Sequence, residues 1–163
     1  MLNSNYDSDI LTDMSMGSLC LMPLRGTEAF TKEIDEYIRS WRIKNIENLK
    51  LEKVPDGYVK DTFIATPTIN RFGSGEAKGL LTTTVRGYDI FIIVDVTNYS
   101  ESYNLFGTKN RMSPDDHFQD LKRVIAATNG KAKRINVIMP FLYESRQHNR
   151  TARESLDCAM MLQ

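Results

Sequence analysis

The sequence predicts an α/β domain whose mainly parallel central sheet is covered by helices on both faces, and three observations carry that expectation. Two nearly continuous apolar runs, DIFIIVDV from Asp89 to Val96 and RINVIMPFL from Arg134 to Leu142, read as strands buried on both faces. A capped amphipathic helix lies between them, which makes a right-handed, parallel strand–helix–strand unit. The length of 163 residues, with 41% hydrophobic and 26% charged, suits one domain able to bury a substantial core.

Each element is then read in order. Residues 1–17 mix Ser, Asp, Asn and Met without a period and are expected to form a flexible arm, leaving 18–163 as the folded domain. LCLMPL, from Leu19, is a short strand ended by Pro23, and Gly26-Thr27 opens a helix. Phe30, Ile34, Tyr37, Ile38 and Trp41 recur at spacings of three and four, so this stripe is expected to dock on the sheet, with Trp41 in the core. KNIENLKLEKVPDG is polar and ends in a turn, while YVKDTFIATPTI alternates enough for one or two modest strands. Leu80 to Val85 reads as a strand closed by the Arg86-Gly87 turn. After a long loop, Ser113-Pro114-Asp115-Asp116 is a strong helix start, and Phe118, Leu121, Val124, Ile125 and Ala126 form the expected buried side. Asn129-Gly130 supplies the left-handed stop. Thr151-Ala152-Arg153-Glu154 matches a capping box and predicts a last helix from Thr151. That helix has no capping glycine and reads as cut off mid-element.

Composition narrows the function classes. Lys plus Arg total 21 and Asp plus Glu total 21, so no global charge favours nucleic acid or an anionic membrane, and any anion site must be local. Cys20 and Cys158 are too few for a disulfide framework, and His117 and His148 lie far from both. Both histidines read as solvent-facing. No apolar run reaches the roughly 18 residues of a bilayer span, and the opening is no signal peptide, so a cytoplasmic protein is expected.

The local anion site is expected where the strand at Arg134–Leu142 runs into YESRQHNRTAR. Ligands of open parallel sheets collect at the carboxyl ends of the strands. Arg146, Arg150 and Arg153 beside a helix N-terminus would suit phosphate oxygens, with Gln147 adding a hydrogen bond to a base or ribose. The alternative is a solvated basic loop whose arginines pair with Glu144 and Glu154. The loop NYSESYNLFGTKNRMS, with Tyr99, Tyr103 and Phe106, is long enough to be a lid or an interface.

TVRGYDIFIIVDV, DDHFQDLKRVIAATNGKAKRINVIMPF and SRQHNR occur in an order that resembles the N-terminal domain of ribose-phosphate diphosphokinase, also called phosphoribosyl pyrophosphate synthetase, and especially a longer bacterial branch. The resemblance covers about Leu19 to Gln163. It implies a three-layer type I phosphoribosyltransferase-like domain in a homo-oligomer, a dimer or hexamer. It also implies transfer of the diphosphoryl group of ATP, with Mg2+, to ribose 5-phosphate in nucleotide biosynthesis. Arg146, Gln147, Arg150 and Arg153 are the implied ATP-binding residues. Phe72, Ser74 and Glu76 match the loop that reads adenine in a neighbouring subunit, with Ser74 replacing the family's aspartate. The family's metal-binding histidine and aspartate, flexible loop and pentose-phosphate loop lie beyond Gln163. The fragment alone is therefore expected to be inactive and to hold no metal, with no catalytic residue of its own. A rival reading is a non-catalytic regulatory homologue or assembly module that binds nucleotide or a catalytic partner.

Overall fold

The computed structural model describes residues 17–50 and 54–163, and the expected arm lies outside the described residues apart from Gly17. In chain order the elements are β1 (Leu19–Pro23), α1 (Glu28–Leu49), β2 (Thr68–Arg71), β3 (Ala77–Leu80), β4 (Asp89–Ile93), β5 (Ser102–Leu105), β6 (Thr108–Arg111), α2 (Pro114–Ala127), β7 (Arg134–Ile138) and α3 (Asp157–Met161). The central sheet has the order β1-β4-β7 and is parallel throughout, with Leu19 opposite Asp89 and Asp89 opposite Arg134. Beyond β1 one parallel bridge joins Leu21 to Ile64, through Leu21 N–H to the Phe63 carbonyl at 2.8 Å and Ala65 N–H to the Leu21 carbonyl at 2.9 Å.

Side chains alternate along strands, so β1 and β4 feed two separate cores. Cys20, Met22, Ile90, Ile92 and Val94 pack with Leu121 and Val124 of α2. On the other face Leu21 and Ile93 pack with Phe63, flanked by Ile34 and Ile38 of α1. The result is three layers, with the sheet between α1 and α2.

The expected docking face of α1 needs correction. Ile34 and Ile38 touch the core, but Phe30, Tyr37 and Trp41 are 53%, 70% and 48% exposed, while Thr31 and Asp35 are buried. Apolar spacing alone missed this, because both buried polar groups are satisfied. Thr31 Oγ1 donates to the Thr27 carbonyl at 2.8 Å. Asp35 accepts from Phe63 N–H at 2.7 Å, Thr62 Oγ1 at 3.2 Å and Arg39 Nε at 3.0 Å. The carboxylate thus fastens the segment that bridges β1. Arg42, one turn beyond Ile38, lies over the rings of Tyr58 and Phe63 at 4.6 and 4.7 Å and donates to the Tyr58 carbonyl. These anchors carry the helix through its polar end to Leu49, past the point where apolar periodicity fades.

The strand expected at Leu80–Val85 lies earlier, as β3, paired antiparallel with β2 from Thr68 opposite Leu80 to Arg71 opposite Ala77. Gly79 meets the helix there: a Cβ on it would come to 3.0 Å from the Arg123 carbonyl oxygen, tighter than an ordinary contact, so a larger residue would press the strand and helix apart by a few tenths of an ångström. The loop at 98–113 holds a hairpin that the sequence did not reveal, β5 with β6, turning at Phe106 and Gly107 with φ of 50° and 78°.

Helix α2 begins as expected. Ser113 Oγ accepts from Asp116 N–H at 3.1 Å, and Asp116 accepts from Ser113 N–H at 2.9 Å, completing a capping box. Two readings on this helix are corrected: Ala126 is exposed, and His117 is buried with a ring nitrogen 3.0 Å from the Asn98 carbonyl oxygen. That contact ties the helix to the loop after β4. The run at Arg134–Leu142 is also corrected. The strand ends at Ile138, on the sheet edge, and Val137, Ile138, Phe141 and Leu142 are exposed. The last helix starts at Asp157 rather than Thr151. Among the described residues no helix is long and apolar enough to cross a membrane.

Candidate functional site

Because β1, β4 and β7 are parallel, their carboxyl ends at Pro23, Ile93 and Ile138 share one rim. The segment 139–156 leaves β7 at that rim, fixed there by Val94 N–H donating to the Ile138 carbonyl at 3.0 Å. Its root is anchored on α2. The Tyr143 ring stacks on Phe118, with centroids 4.3 Å apart and planes 15° from parallel, and its hydroxyl donates to Asp115 Oδ1 at 2.6 Å. Burial first, and the Asp115 carboxylate second, push the Tyr143 phenol well above its ordinary value, so it stays a donor at neutral pH. Sequence reasoning missed this anchor; an aromatic just after the strand, facing the first turns of the helix, is its only signal.

Beyond the anchor the chain turns sharply. Glu144 takes a φ of 57°, Ser145 N–H donates to the Leu142 carbonyl at 3.2 Å and Gln147 N–H to the Glu144 carbonyl at 3.1 Å. Gln147 is half-buried and closes the loop: its Nε2 donates to the Ser155 carbonyl at 2.9 Å, and its own carbonyl accepts from Cys158 N–H at 3.2 Å. His148 is exposed, with Nδ1 2.9 Å from the Ser145 carbonyl oxygen.

Arg146, Arg150 and Arg153 are all exposed, and none makes an ion pair with another described residue. Glu154, the neighbouring acid expected to compete for them, instead accepts from Thr151 N–H and Oγ1, both at 3.3 Å. The capping-box contact is therefore made without a helix following it. The one-turn α3 contributes no anion site, so the loop's capacity for anions rests on its side chains alone.

Phe72, Ser74 and Glu76 lie together at the tip of the β2–β3 hairpin. Phe72 N–H donates to the Glu76 carbonyl at 2.8 Å, Gly75 turns with a φ of 89°, and Ser74 Oγ donates to Glu76 Oε2 at 2.8 Å. The Phe72 ring is 52% exposed. No hydrogen bond or ion pair among the described residues joins this tip to the 146–153 loop, so the fold presents two separate surfaces. Among the described residues no group of three or more His, Cys, Asp or Glu side chains could hold a metal ion. Cys20 is no nucleophile, since burial pushes its thiol up to about 11.

The chain spans 39% of the length of the phosphoribosylpyrophosphate synthetase from Mycobacterium smegmatis, a solved structure to which it is similar. That similarity covers 90% of the present chain at 20% sequence identity with a TM-score of 0.52, which supports a shared fold. No curated protein matches the chain. A family model, the N-terminal domain of ribose phosphate pyrophosphokinase, matches residues 19–163. That match takes in the sheet, both flanking helices and the arginine loop, and the chain belongs to this family of ribose phosphate pyrophosphokinase N-terminal domains.

Proposed function

We propose that this domain binds ATP through the loop after β7, as part of an enzyme that makes 5-phosphoribosyl 1-diphosphate. The observation that supports the reading is the set of three exposed guanidinium groups, without an ion pair among the described residues, on the loop that leaves the carboxyl rim of the parallel sheet. Arg146, Arg150 and Arg153 offer forked donors to the triphosphate oxygens. Gln147 uses its side-chain nitrogen to hold the loop, leaving its oxygen to accept from ribose or base. In an assembled homo-oligomer, Phe72 stacks on the adenine held by a neighbouring copy and Glu76 accepts from its amino group. Ser74, already donating to Glu76, supplies no second carboxylate, so discrimination between adenine and other bases is weaker than with an aspartate there.

In the reaction, the 1-hydroxyl oxygen of ribose 5-phosphate bonds to the β-phosphorus as the bond from that phosphorus to the α-phosphate oxygen breaks. AMP leaves, and the hydroxyl proton is released. Mg2+ enters as part of the substrate, MgATP, and the ribose 5-phosphate groups are expected from a second domain. This domain's share is to fix the triphosphate in place, a large share where transfer depends on positioning and charge neutralisation. Nucleotide biosynthesis in the cytoplasm is the corresponding role. Calorimetric titration of the chain with MgATP tests the reading: Arg146→Ala and Gln147→Ala should each weaken binding, and affinity untouched by either change rejects the site.

A regulatory or assembly module is the second reading, favoured by the Ser74–Glu76 contact at the base-reading tip. Restoring the acid with Ser74→Asp separates the two. A gain in adenine selectivity supports the enzyme, and indifference supports the module.

A further inference from the structure

A groove rich in cationic side chains lies between the β2–β3 and β5–β6 hairpins and includes no residue of the 146–153 loop. The groove there has a volume of ≈ 570 Å³ and is lined by Arg25, Arg71, Lys109, Asn70, Ser102 and Tyr103 among others. A neighbouring hollow, of ≈ 550 Å³, shares Ser102 and Lys109 and adds Arg111. No acidic residue lines either one. Lys109 and Arg111 stand two residues apart on β6, hence on one side of the hairpin, opposite Asn104 and Ser102.

Two of the four cations are already held in place. Arg71 Nη2 bonds Asp120 Oδ2 at 2.7 Å, and its guanidinium lies over the Tyr103 ring at 4.6 Å. Arg25 Nη1 donates to the Ser102 carbonyl at 2.5 Å, which fixes its position, and it makes no ion pair with a described residue. Lys109 and Arg111 make no ion pair with a described residue. Asp120, which holds Arg71, is shared with Arg123 at 2.7 Å. Like charges gathered this closely repel one another, and an anion in the groove reverses the sign of that term. The fixed arginines reduce the ordering cost of binding.

We propose that this groove binds a diphosphate group, with Lys109 and Arg111 taking its outer oxygens and Arg25 and Arg71 its inner ones. The lining is mostly polar, so the diphosphate itself is the recognised unit, whether free or as the tail of a nucleotide. The groove depends on the β5–β6 hairpin and is independent of the ATP reading of Arg146.

The test is calorimetric titration of the 163-residue chain with inorganic diphosphate, and of its Arg146→Gln variant with ADP. Diphosphate should bind, and the double change Lys109→Gln with Arg111→Gln should weaken it about tenfold or more, from loss of charge-assisted contacts. Circular dichroism should stay unchanged, since both side chains are unpaired. Arg146→Gln weakens only diphosphate held at the loop after β7 and should leave the binding that depends on Lys109 and Arg111 within about twofold, so ADP should still bind that variant. Three outcomes overturn the proposal: no diphosphate binding by the parent chain, affinity unmoved by the double change, or affinity lost in Arg146→Gln instead.

Discussion

Two groups of arginines in this chain behave in opposite ways. Arg39, Arg71, Arg123 and Arg134 each hold a carboxylate at 3.0 Å or closer, on Asp35, Asp120 or Asp89. Arg146, Arg150 and Arg153 hold none among the described residues, although Glu144 and Glu154 are their neighbours in sequence. The paired carboxylates are on secondary-structure elements and shielded from water, where an unpartnered charge is costly. In the exposed loop, water screens the charges and little is gained by pairing. The first group holds elements together, and the second, on the proposed reading, serves a ligand.

The largest expected effect comes from breaking a shielded pair. Arg71→Ala leaves Asp120 to Arg123 alone, and the urea-unfolding free energy should fall by about 3 kcal/mol, toward the lower end for a broken buried pair. Asp89→Asn should act in the same direction and expose a pH dependence. Arg134 donates to Asp89 from Nε at 2.8 Å and Nη2 at 2.5 Å, and that bonding, with help from Asn136, holds the Asp89 carboxyl below its ordinary value against the effect of burial. A depressed carboxyl contributes stability that is complete above its unfolded value and is lost as pH falls through the folded one. The parent's urea midpoint should therefore drop between about pH 5 and pH 2, and Asp89→Asn should flatten that drop.

A smaller change, with opposite sign, is expected at the hairpin tip. Phe106 is 86% exposed and takes a left-handed conformation that asparagine accepts more readily. Phe106→Asn should stabilise the chain by about 1 kcal/mol in the same urea assay. Sizing chromatography of this variant tests the lid-or-interface reading of the loop, with reduced self-association expected. The smallest effect belongs to the second arginine group: Arg150→Ala should leave stability within about 0.5 kcal/mol.

The strand–helix–strand centre was legible because its signals are local and agree with one another. β4 is apolar on both faces, and Ser113 to Asp116 spell a cap. The misreadings share one physical cause, which is that burial and helix limits depend on what a segment packs against and on which polar groups find partners, near or far in sequence. Thr31, Asp35 and His117 look like surface residues until Thr27, Phe63 and Asn98 supply their hydrogen bonds. The run at Arg134–Leu142 looks buried until the sheet order places it at an edge. Thr151 and Glu154 make their contact, yet the loop closure through Gln147 and Ser155 delays the helix to Asp157. For the candidate site, motifs singled out both the arginine loop and the 72–76 segment, which the fold places on a loop after β7 and at a hairpin tip. The Tyr143 anchor and the cationic groove were not, because each is assembled from separate segments.

The central claim, that the loop after β7 carries charge reserved for ATP, is tested most directly by one triple variant, Arg146→Ala with Arg150→Ala and Arg153→Ala. Calorimetric titration with MgATP, run beside urea unfolding, should show affinity reduced about tenfold or more with an unchanged unfolding midpoint. Parent and variant binding MgATP equally, or the variant losing stability instead of affinity, would contradict it.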